Sequence, residues 1–300
     1  GDYHSLLPFY WHTSVNSSYA DGFNDGYHWQ GRGLNQAVSF GMQGRWKQFE
    51  YTFAPMLSYS QNLAYDYRSG ERGRPPFQYV FTDRIDYVMR YGNEAKTDLF
   101  LGQTEIAYHW KKLRVSLGTN NMWWGSGVYQ SALMSNHAPG FPHLQIGNSE
   151  PWRGKWGAFS FQWFSGYLRE SDFLNSNSAD NRRAFNGLLL SYKPSFFEGL
   201  SVNIGRVMQF YASDFRVQDH WTLLTNYFRT TQFNTDGTLT EEKDQMVSLG
   251  LDWRSRDELF KIYFEWVRGD FARDLRGFSD LKDFIVQNDH NSGVILGFLK

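Results

Sequence analysis

Residues 247–254 read Val-Ser-Leu-Gly-Leu-Asp-Trp-Arg, and residues 260–267 read Phe-Lys-Ile-Tyr-Phe-Glu-Trp-Val. In both stretches a large apolar residue stands at every second position. Because successive side chains of a β-strand point to opposite faces, each stretch predicts a strand with one apolar and one more polar face. A charged turn at Ser255–Asp257 lies between them, so the pair predicts an antiparallel hairpin.

The same alternation recurs along most of the chain. It covers 38–46, 49–57, 104–110, 113–117, 158–167, 188–193, 200–206 and 294–298. Short turns rich in charge, Gly or Pro are predicted at 46–47, 111–112 and 195–199, whereas long polar stretches lie at 61–102, 121–156, 209–244 and 268–291. Short turns that alternate with long loops are the layout of an antiparallel, up-and-down transmembrane β-barrel with its long loops at one end.

Strand direction requires one more strand. The strand that leaves the turn at 111–112 must reach the long-loop end, and the strand at 188–193 must arrive at a short turn. A single strand between them cannot run antiparallel to both neighbours. We therefore predict another strand at 143–147, followed by a turn at 150–155. This gives roughly eleven to thirteen strands, while single-chain bacterial barrels normally have an even number. A strand at 6–14, or one missing after Lys300, would make the number even. Helical spacing is confined to 275–286.

Composition excludes several classes of protein. The 30 Lys and Arg residues nearly balance the 31 Asp and Glu residues, which leaves no basic patch for nucleic acid. Cysteine is absent, so disulfide scaffolds, thiolate metal sites and cysteine nucleophiles are excluded. Hydrophobic residues make up 41% and aromatic residues 19%, yet mean hydropathy is −0.56. An aromatic-rich but hydrophilic chain suits strands with one apolar face.

A soluble all-β fold would also alternate, with its apolar face inward. Two features favour lipid on that face instead. The apolar faces carry aromatic residues near strand ends, as interfacial girdles do: Trp46, Tyr59, Trp110, Trp253 and Trp266. The polar faces mix Gly and Ser with charged residues, as a crowded lumen does: Arg45, Glu50, Glu105, Arg114, Arg206, Asp252 and Glu265. We therefore expect one all-β barrel domain over 1–300, with 1–35 as an N-terminal plug or first-strand region.

Two segments carry a family resemblance. The first reads Asn24-Asp25-Gly26-Tyr27-His28-Trp29-Gln30-Gly31-Arg32-Gly33-Leu34. The second reads Trp123-Trp124-Gly125-Ser126-Gly127, followed by Ser135-Asn136-His137-Ala138-Pro139-Gly140-Phe141-Pro142. In this order they resemble the Wzi-type capsule assembly family, in its Bacteroidota form, from about Asn16 to the C-terminus. The resemblance implies a non-enzymatic barrel of the bacterial outer membrane that binds, attaches or helps assemble surface polysaccharide.

The chain departs from the family in two ways. Ser126 stands where the family often has Pro, and His137 where it often has a second Asn. Family members also tend to continue with further strands, so we expect an incomplete C-terminal part. The implied partners are surface polysaccharide, outer-membrane lipid and other outer-membrane proteins, and no cofactor is implied.

The tandem tryptophans have two interpretations. One is structural, a girdle Trp beside a Trp that packs within its loop. The other is a sugar platform, because the apolar face of a pyranose stacks on indole while nearby polar groups bind its hydroxyls. The candidate polysaccharide-binding residues on this hypothesis are Trp123, Trp124, Tyr129, Gln130, Ser135, Asn136, His137 and Arg153, with Arg153 or Lys155 serving an acidic glycan.

Other motif residues are expected to shape loops and turns. Glycine permits positive φ in tight turns, and proline fixes φ. The residues in this group are Asp25, Gly26, Trp29, Gly31, Arg32, Gly125, Pro139 and Pro142, and Trp29 with Arg32 could also line the lumen as part of a plug. Residues 135–142 are expected to fold back as a rigid constriction loop.

Two other functions remain open. A passive porin would have an open lumen, and a soluble carbohydrate-active enzyme would bring two carboxylates together from separate strands. Glu170 and Asp172 lie on one strand edge, which is more typical of solvated loop charges. His137 and His143 have no acidic partner at metal-ligand spacing, so no metal site is predicted.

Overall fold

The computed structural model describes residues 2–23, 25–66, 89–170, 181–212, 232–233, 239–241, 243–257, 259–269 and 292–300. The strands are β1 (Tyr3–Leu6), β2 (Tyr10–Asn16), β3 (Gly33–Ser39), β4 (Met42–Trp46), β5 (Phe49–Phe53), β6 (Met56–Ser60), β7 (Lys96–Phe100), β8 (Glu105–Trp110), β9 (Leu113–Gly118), β10 (His143–Asn148), β11 (Trp152–Gly154), β12 (Gly157–Arg169), β13 (Arg182–Pro194), β14 (Leu200–Tyr211), β15 (Gln232–Phe233), β16 (Leu239–Glu241), β17 (Lys243–Arg254), β18 (Lys261–Gly269) and β19 (Ser292–Leu299). The predicted helix at 275–286 lies outside the described residues.

Antiparallel pairing joins the strands in chain order. The large sheet runs β1-β4-β5-β8-β9-β10-β12-β13-β14-β17-β18-β19, with β11 on β12, and a four-stranded sheet runs β2-β3-β6-β7. Among the described residues, β1 and β19 are the two edges of the large sheet. The all-β, antiparallel, up-and-down order predicted from alternation is confirmed.

The first strands are interrupted midway, which the alternation did not predict. The stretch 38–46 divides into β3 and β4, and 49–57 divides into β5 and β6. At the break a Cβ on Gly41 would overlap the Phe53 carbonyl oxygen, and Pro55 has no N–H to donate. The same interruption separates β1 from β2 and β7 from β8. The four strands β2-β3-β6-β7 therefore extend the four strands β1-β4-β5-β8 toward the long-loop end. Counting each interrupted strand once gives twelve long strands in the described part of the chain.

The predicted short turns and additional strands are present. Lys47 and Lys111 each have φ of 55° in a two-residue turn, and β10 pairs with both β9 and β12 as the direction argument requires. The strand predicted at 6–14 corresponds to β1 and β2. The turn predicted at 150–155 differs, because β11 forms within it and pairs with β12.

One face of the sheet is apolar and exposed. On β19, Val294, Leu296 and Phe298 are 63%, 74% and 58% exposed, and Trp46 and Trp110 are exposed next to short turns. Arg206 is an exception to the predicted pattern: it shares the face of Ile204 on β14, where it is buried and donates to the Gln245 side chain at 2.6 Å.

The other face is polar near the short turns. Arg114 bonds to both carboxylate oxygens of Glu105, and His109 Nε2 lies 3.0 Å from the Glu50 carboxylate. This is the charged interior predicted from sequence. In the described ranges, no helix has the length and apolar character needed to cross a bilayer.

Candidate functional site

Residues 119–142, here called the inner loop, pack on the polar face of the sheet. Their buried side chains form a core with residues of β12, β13, β14, β17 and β18: Met122, Trp124, Leu133, Phe164, Val207 and Val267, with Ala132, Met134, Phe141, Phe185, Leu189 and Met246 against it. The Trp124 ring meets Phe164 edge to face at 5.0 Å, and its Nε1 donates to Gln162 at 2.8 Å. The inner loop therefore forms a hydrophobic core on the inner side of the sheet, and the rigid constriction loop at 135–142 stays a prediction.

Glu265 of β18 anchors the middle of the inner loop. Its carboxylate is fully buried and accepts hydrogen bonds from the backbone N–H of Gly127 (3.3 Å) and Ala132 (2.9 Å) and from the Ser131 hydroxyl (3.0 Å). A Cβ on Gly125 would overlap this carboxylate.

Contacts of the inner loop reach widely separated strands. The Gln145 side chain on β10 lies 3.5 Å from the Met122 sulfur. Five residues further along the loop, the Gly127 N–H donates to Glu265 on β18. In a flat sheet β10 and β18 would lie about 24 Å apart. The sheet therefore curves around the inner loop.

The N-terminal segment, residues 17–32 without the undescribed Asn24, enters the same interior from the long-loop end. The Tyr27 hydroxyl lies within hydrogen-bond distance of two carbonyls, those of Gly102 (3.1 Å) and Thr119, at the level of the strand breaks. The Ser14 hydroxyl donates to the Gln30 side chain at 2.7 Å, and the Gly26 N–H donates to the His137 carbonyl at 3.3 Å. The two segments that carry the family resemblance thus meet inside the curved sheet.

A cavity of about 290 Å³ lies where these segments meet. Its walls come from the N-terminal segment, the turn before β7, β7 itself and the inner loop: Ala20, Asp21, Gly22, Asp25, Gly26, Tyr27, His28, Trp29, Gln30, Arg90, Tyr91, Lys96, Phe100, His137 and Pro139. The Trp29 indole is held from three sides. Its Nε1 donates to Asn62 at 2.9 Å, Tyr91 meets it edge-on at 5.3 Å, and the Arg90 guanidinium lies 5.6 Å from its ring centre.

Burial shifts the protonation of several cavity residues. The pKa of His28 is lowered to about 4, chiefly because burial disfavours the charged ring, with further lowering by His12 and partial opposition from Asp25. Burial also raises the pKa of Tyr27 to about 12, so its hydroxyl stays protonated at neutral pH. The cavity therefore combines neutral aromatic groups with the charges of Asp21, Asp25, Arg90 and Lys96.

Acidification is expected to loosen the N-terminal segment through His28. Below pH 6.5 the unfolded chain gains a proton that folded His28 does not accept until about pH 4, so stability is lost between these values. The loss should approach about 2–3 kcal/mol, since each pKa unit corresponds to about 1.4 kcal/mol. Urea unfolding in detergent from pH 7.5 to 4 measures it. The His28→Gln variant, which does not titrate here, should show a flatter profile, and equal slopes for both proteins would contradict the assignment.

The structure does not bring all the predicted binding residues together at one site. His137 lines the cavity, and the Asn136 carbonyl lies against Gly26. Trp123, Tyr129 and Gln130 are exposed on the inner loop away from the cavity walls, and the Ser135 hydroxyl caps the His137 N–H at 3.3 Å.

Trp124 is 1% exposed, as its interpretation as a loop-packing residue requires, so in this conformation its ring cannot stack on a sugar. Arg153 is not brought to the other candidates. It lies on β11 beside the short turn, at the opposite end of the strands, and Lys155 follows it there. The cationic side chains that line the cavity are instead those of Arg90 and Lys96.

The residues predicted to shape loops occupy defined places. Gly26 has φ of 62°, Asp25 accepts from the Gln30 side chain, and Pro139 lines the cavity. The Arg32 guanidinium donates to the Ala64 carbonyl at 2.7 Å rather than entering the cavity. A Cβ on Gly31 would lie 2.5 Å from the Asn62 side chain, and the Pro142 carbonyl accepts from the Tyr167 N–H at 3.1 Å.

Several cavity residues had no assigned role in the sequence. Tyr27 and His28 stand within the first motif segment, which was the available signal. Arg90, Tyr91 and Lys96 fall in the long stretch 61–102, where nothing distinguishes them from other loop residues.

The enzyme hypothesis finds no support at its candidate residues. Glu170 bonds to the Arg183 guanidinium at 2.6 Å, and Asp172 lies outside the described residues. In the part of the chain that the structure describes, no group of three or more His, Asp or Glu residues could hold a metal ion.

Comparisons with known proteins agree with the fold. A comparison with curated proteins gives no significant match. The solved structure of Wzi from Escherichia coli, an outer-membrane protein involved in group 1 capsule assembly and described as a carbohydrate-binding β-barrel, has a TM-score of 0.51 and 12% identity over 92% of this chain and 49% of that chain. The chain thus spans about half the length of that protein. Residues 16–282 match the family described as capsule assembly protein Wzi, so this chain belongs to that family of bacterial outer-membrane proteins.

Proposed function

We propose that this protein binds surface polysaccharide at the outer face of the outer membrane and helps attach or assemble a capsule there, without catalysis. The observation that carries the proposal is the cavity built jointly by the two family segments at the long-loop end. In outer-membrane barrels the long loops are extracellular, so the cavity would face the polysaccharide.

The cavity chemistry suits a sugar. Trp29 and Tyr91 offer aromatic surface for the apolar face of a pyranose, and Asp25, Gln30 and His137 offer hydrogen-bonding groups for hydroxyls. Small-molecule sites typically combine aromatic walls with a small number of polar groups that point to the same place. A volume of about 290 Å³ lies at the lower end for such sites, and it suits a short part of a glycan chain.

The inner loop argues against the passive porin. A diffusion channel requires an open lumen, whereas the described part of the lumen holds a core in which Trp124, Phe164 and Glu265 are almost fully buried. Polysaccharide would therefore stay on the outer side. Lipid contacts on the exposed apolar face would hold the protein in the membrane.

Replacing Trp29 with Ala tests the site. Loss of stacking should weaken polysaccharide binding by about 1–2 kcal/mol, or roughly 5–30-fold. The measurement is calorimetric titration of the detergent-solubilised protein with capsular polysaccharide of the producing strain. Tyr129→Ala is the matched control, because Tyr129 is 76% exposed and lies off the cavity. Equal affinity of Trp29→Ala and wild type would remove the cavity from the proposal, and a large loss in Tyr129→Ala would move the site to the exposed loop surface.

A further inference from the structure

Three short turns at the same end of the strands share one feature. A lysine Nζ lies over the ring of an adjacent tryptophan at Trp46/Lys47 (4.8 Å), Trp110/Lys111 (5.2 Å) and Lys155/Trp156 (5.3 Å). These pairs are called the Lys–Trp turns. Their indole rings are 52%, 56% and 70% exposed, so each pair presents a flat apolar ring with a cation on it.

Two of the rings, those of Trp46 and Trp110, belong to the apolar, outward face. Trp46 pairs with Phe49 and Trp110 with Leu113 across their hairpins, and Phe49 packs on Tyr108 at 5.1 Å. His109, next to Trp110, points the other way into the charged interior. Trp46 and Trp110 therefore lie where the apolar band of the sheet ends, which is the level of lipid headgroups. Trp156 stands in the turn between β11 and β12, at the same end of the strands.

Two of the three lysines occupy costly backbone positions. Lys47 and Lys111 both have φ of 55°, a left-handed conformation that glycine or asparagine adopts with less strain. Turn geometry alone does not explain a lysine at both sites. In the described ranges, none of the three ammonium groups has an ion-pair partner, so their charge is available to a ligand.

We infer that the Lys–Trp turns bind the phosphate groups of anionic phospholipids in the inner leaflet of the outer membrane. The indole ring lies among the acyl-chain ends and glycerol groups, while the adjacent ammonium reaches the phosphate. The short turns face the periplasm in this fold, so the inner leaflet is the lipid surface they meet. A membrane-proximal lysine contributes about five-fold to apparent affinity for anionic lipid.

The test compares two triple variants with the same change in charge. The first variant replaces the three turn lysines by Gln: Lys47, Lys111 and Lys155. The second replaces by Gln three exposed lysines that have no Trp contact among the described residues: Lys112, Lys193 and Lys300. Each protein is placed in nanodiscs of equal phosphatidylethanolamine and phosphatidylglycerol. Native mass spectrometry then gives the ratio of the two lipids retained. Heat-modifiable migration on gels verifies assembly, and Lys155→Gln alone is measured if the first triple variant fails to assemble.

Wild type is expected to retain several-fold more phosphatidylglycerol than phosphatidylethanolamine, with the preference falling as salt is raised. The first triple variant should approach a ratio of about one, and Lys155→Gln should lower the ratio part of the way. The second should keep most of the preference. An unchanged ratio in the first variant would overturn the inference, and so would equal losses in both, because net charge alone would then explain the effect.

Discussion

Replacing Glu265 with Ala is expected to release the inner loop from the sheet. The carboxylate accepts from the N–H groups of Gly127 and Ala132 and from the Ser131 hydroxyl. Removing a buried acceptor leaves each donor unsatisfied at a cost of roughly 1–3 kcal/mol, so the loop should lose at least about 3 kcal/mol of local stability. Amide exchange at 127 and 132 should therefore accelerate by about 100-fold or more.

Hydrogen–deuterium exchange with peptide-level mass spectrometry measures this opening. Glu265→Gln keeps one carbonyl acceptor and should show a smaller acceleration. Glu50→Ala is the matched control, since Glu50 is another inward-facing acid that bonds to His109 rather than to the inner loop. If Glu265→Ala and Glu50→Ala exchange alike over residues 123–134, the carboxylate does not anchor the loop.

The strands of this protein were predictable because the signal for them is local. Alternation in 247–254 and 260–267 depends only on which side chains face lipid, and β17 and β18 form at these places. Strand direction even located β10, which has little alternation of its own. The interruption between β3 and β4 was not predictable, because apolar residues continue to alternate across Gly41. The close approach of the Phe53 carbonyl to Gly41 depends on another strand and leaves no local signal.

The cavity at the long-loop end was predictable only in part. The resemblance drew attention to 24–34 and 135–142, yet no spacing within either segment indicates that Gly26 meets His137. That contact depends on how the N-terminal segment and the inner loop, which are distant in sequence, enter the interior together. Arg153 illustrates the converse limit: it follows the second segment closely in sequence, but β10 carries the chain to the other end before Arg153 is reached.

Trp124→Ala is expected to destabilise the protein strongly, while Trp123→Ala should not. The Trp124 side chain is 1% exposed, packs on Phe164 and donates to Gln162, so its truncation leaves a large cavity and should cost about 3–5 kcal/mol. Trp123 is 38% exposed and donates only to the Gly127 carbonyl, at 3.0 Å, so its loss should cost about 1 kcal/mol. Urea unfolding in detergent followed by circular dichroism gives both values.

The two adjacent variants separate packing from sugar recognition. A loss of polysaccharide binding in Trp124→Ala together with a lowered unfolding midpoint would follow from disorder of the inner loop, because the buried ring cannot reach a ligand. Trp124→Phe keeps most of the apolar volume and should recover much of the stability, with a remaining deficit from the lost hydrogen bond between the residue 124 side chain and Gln162. Were Trp124→Ala as stable as Trp123→Ala yet unable to bind glycan, the ring would have to turn outward in solution, and the core around Phe164 could not be the resting arrangement of this loop.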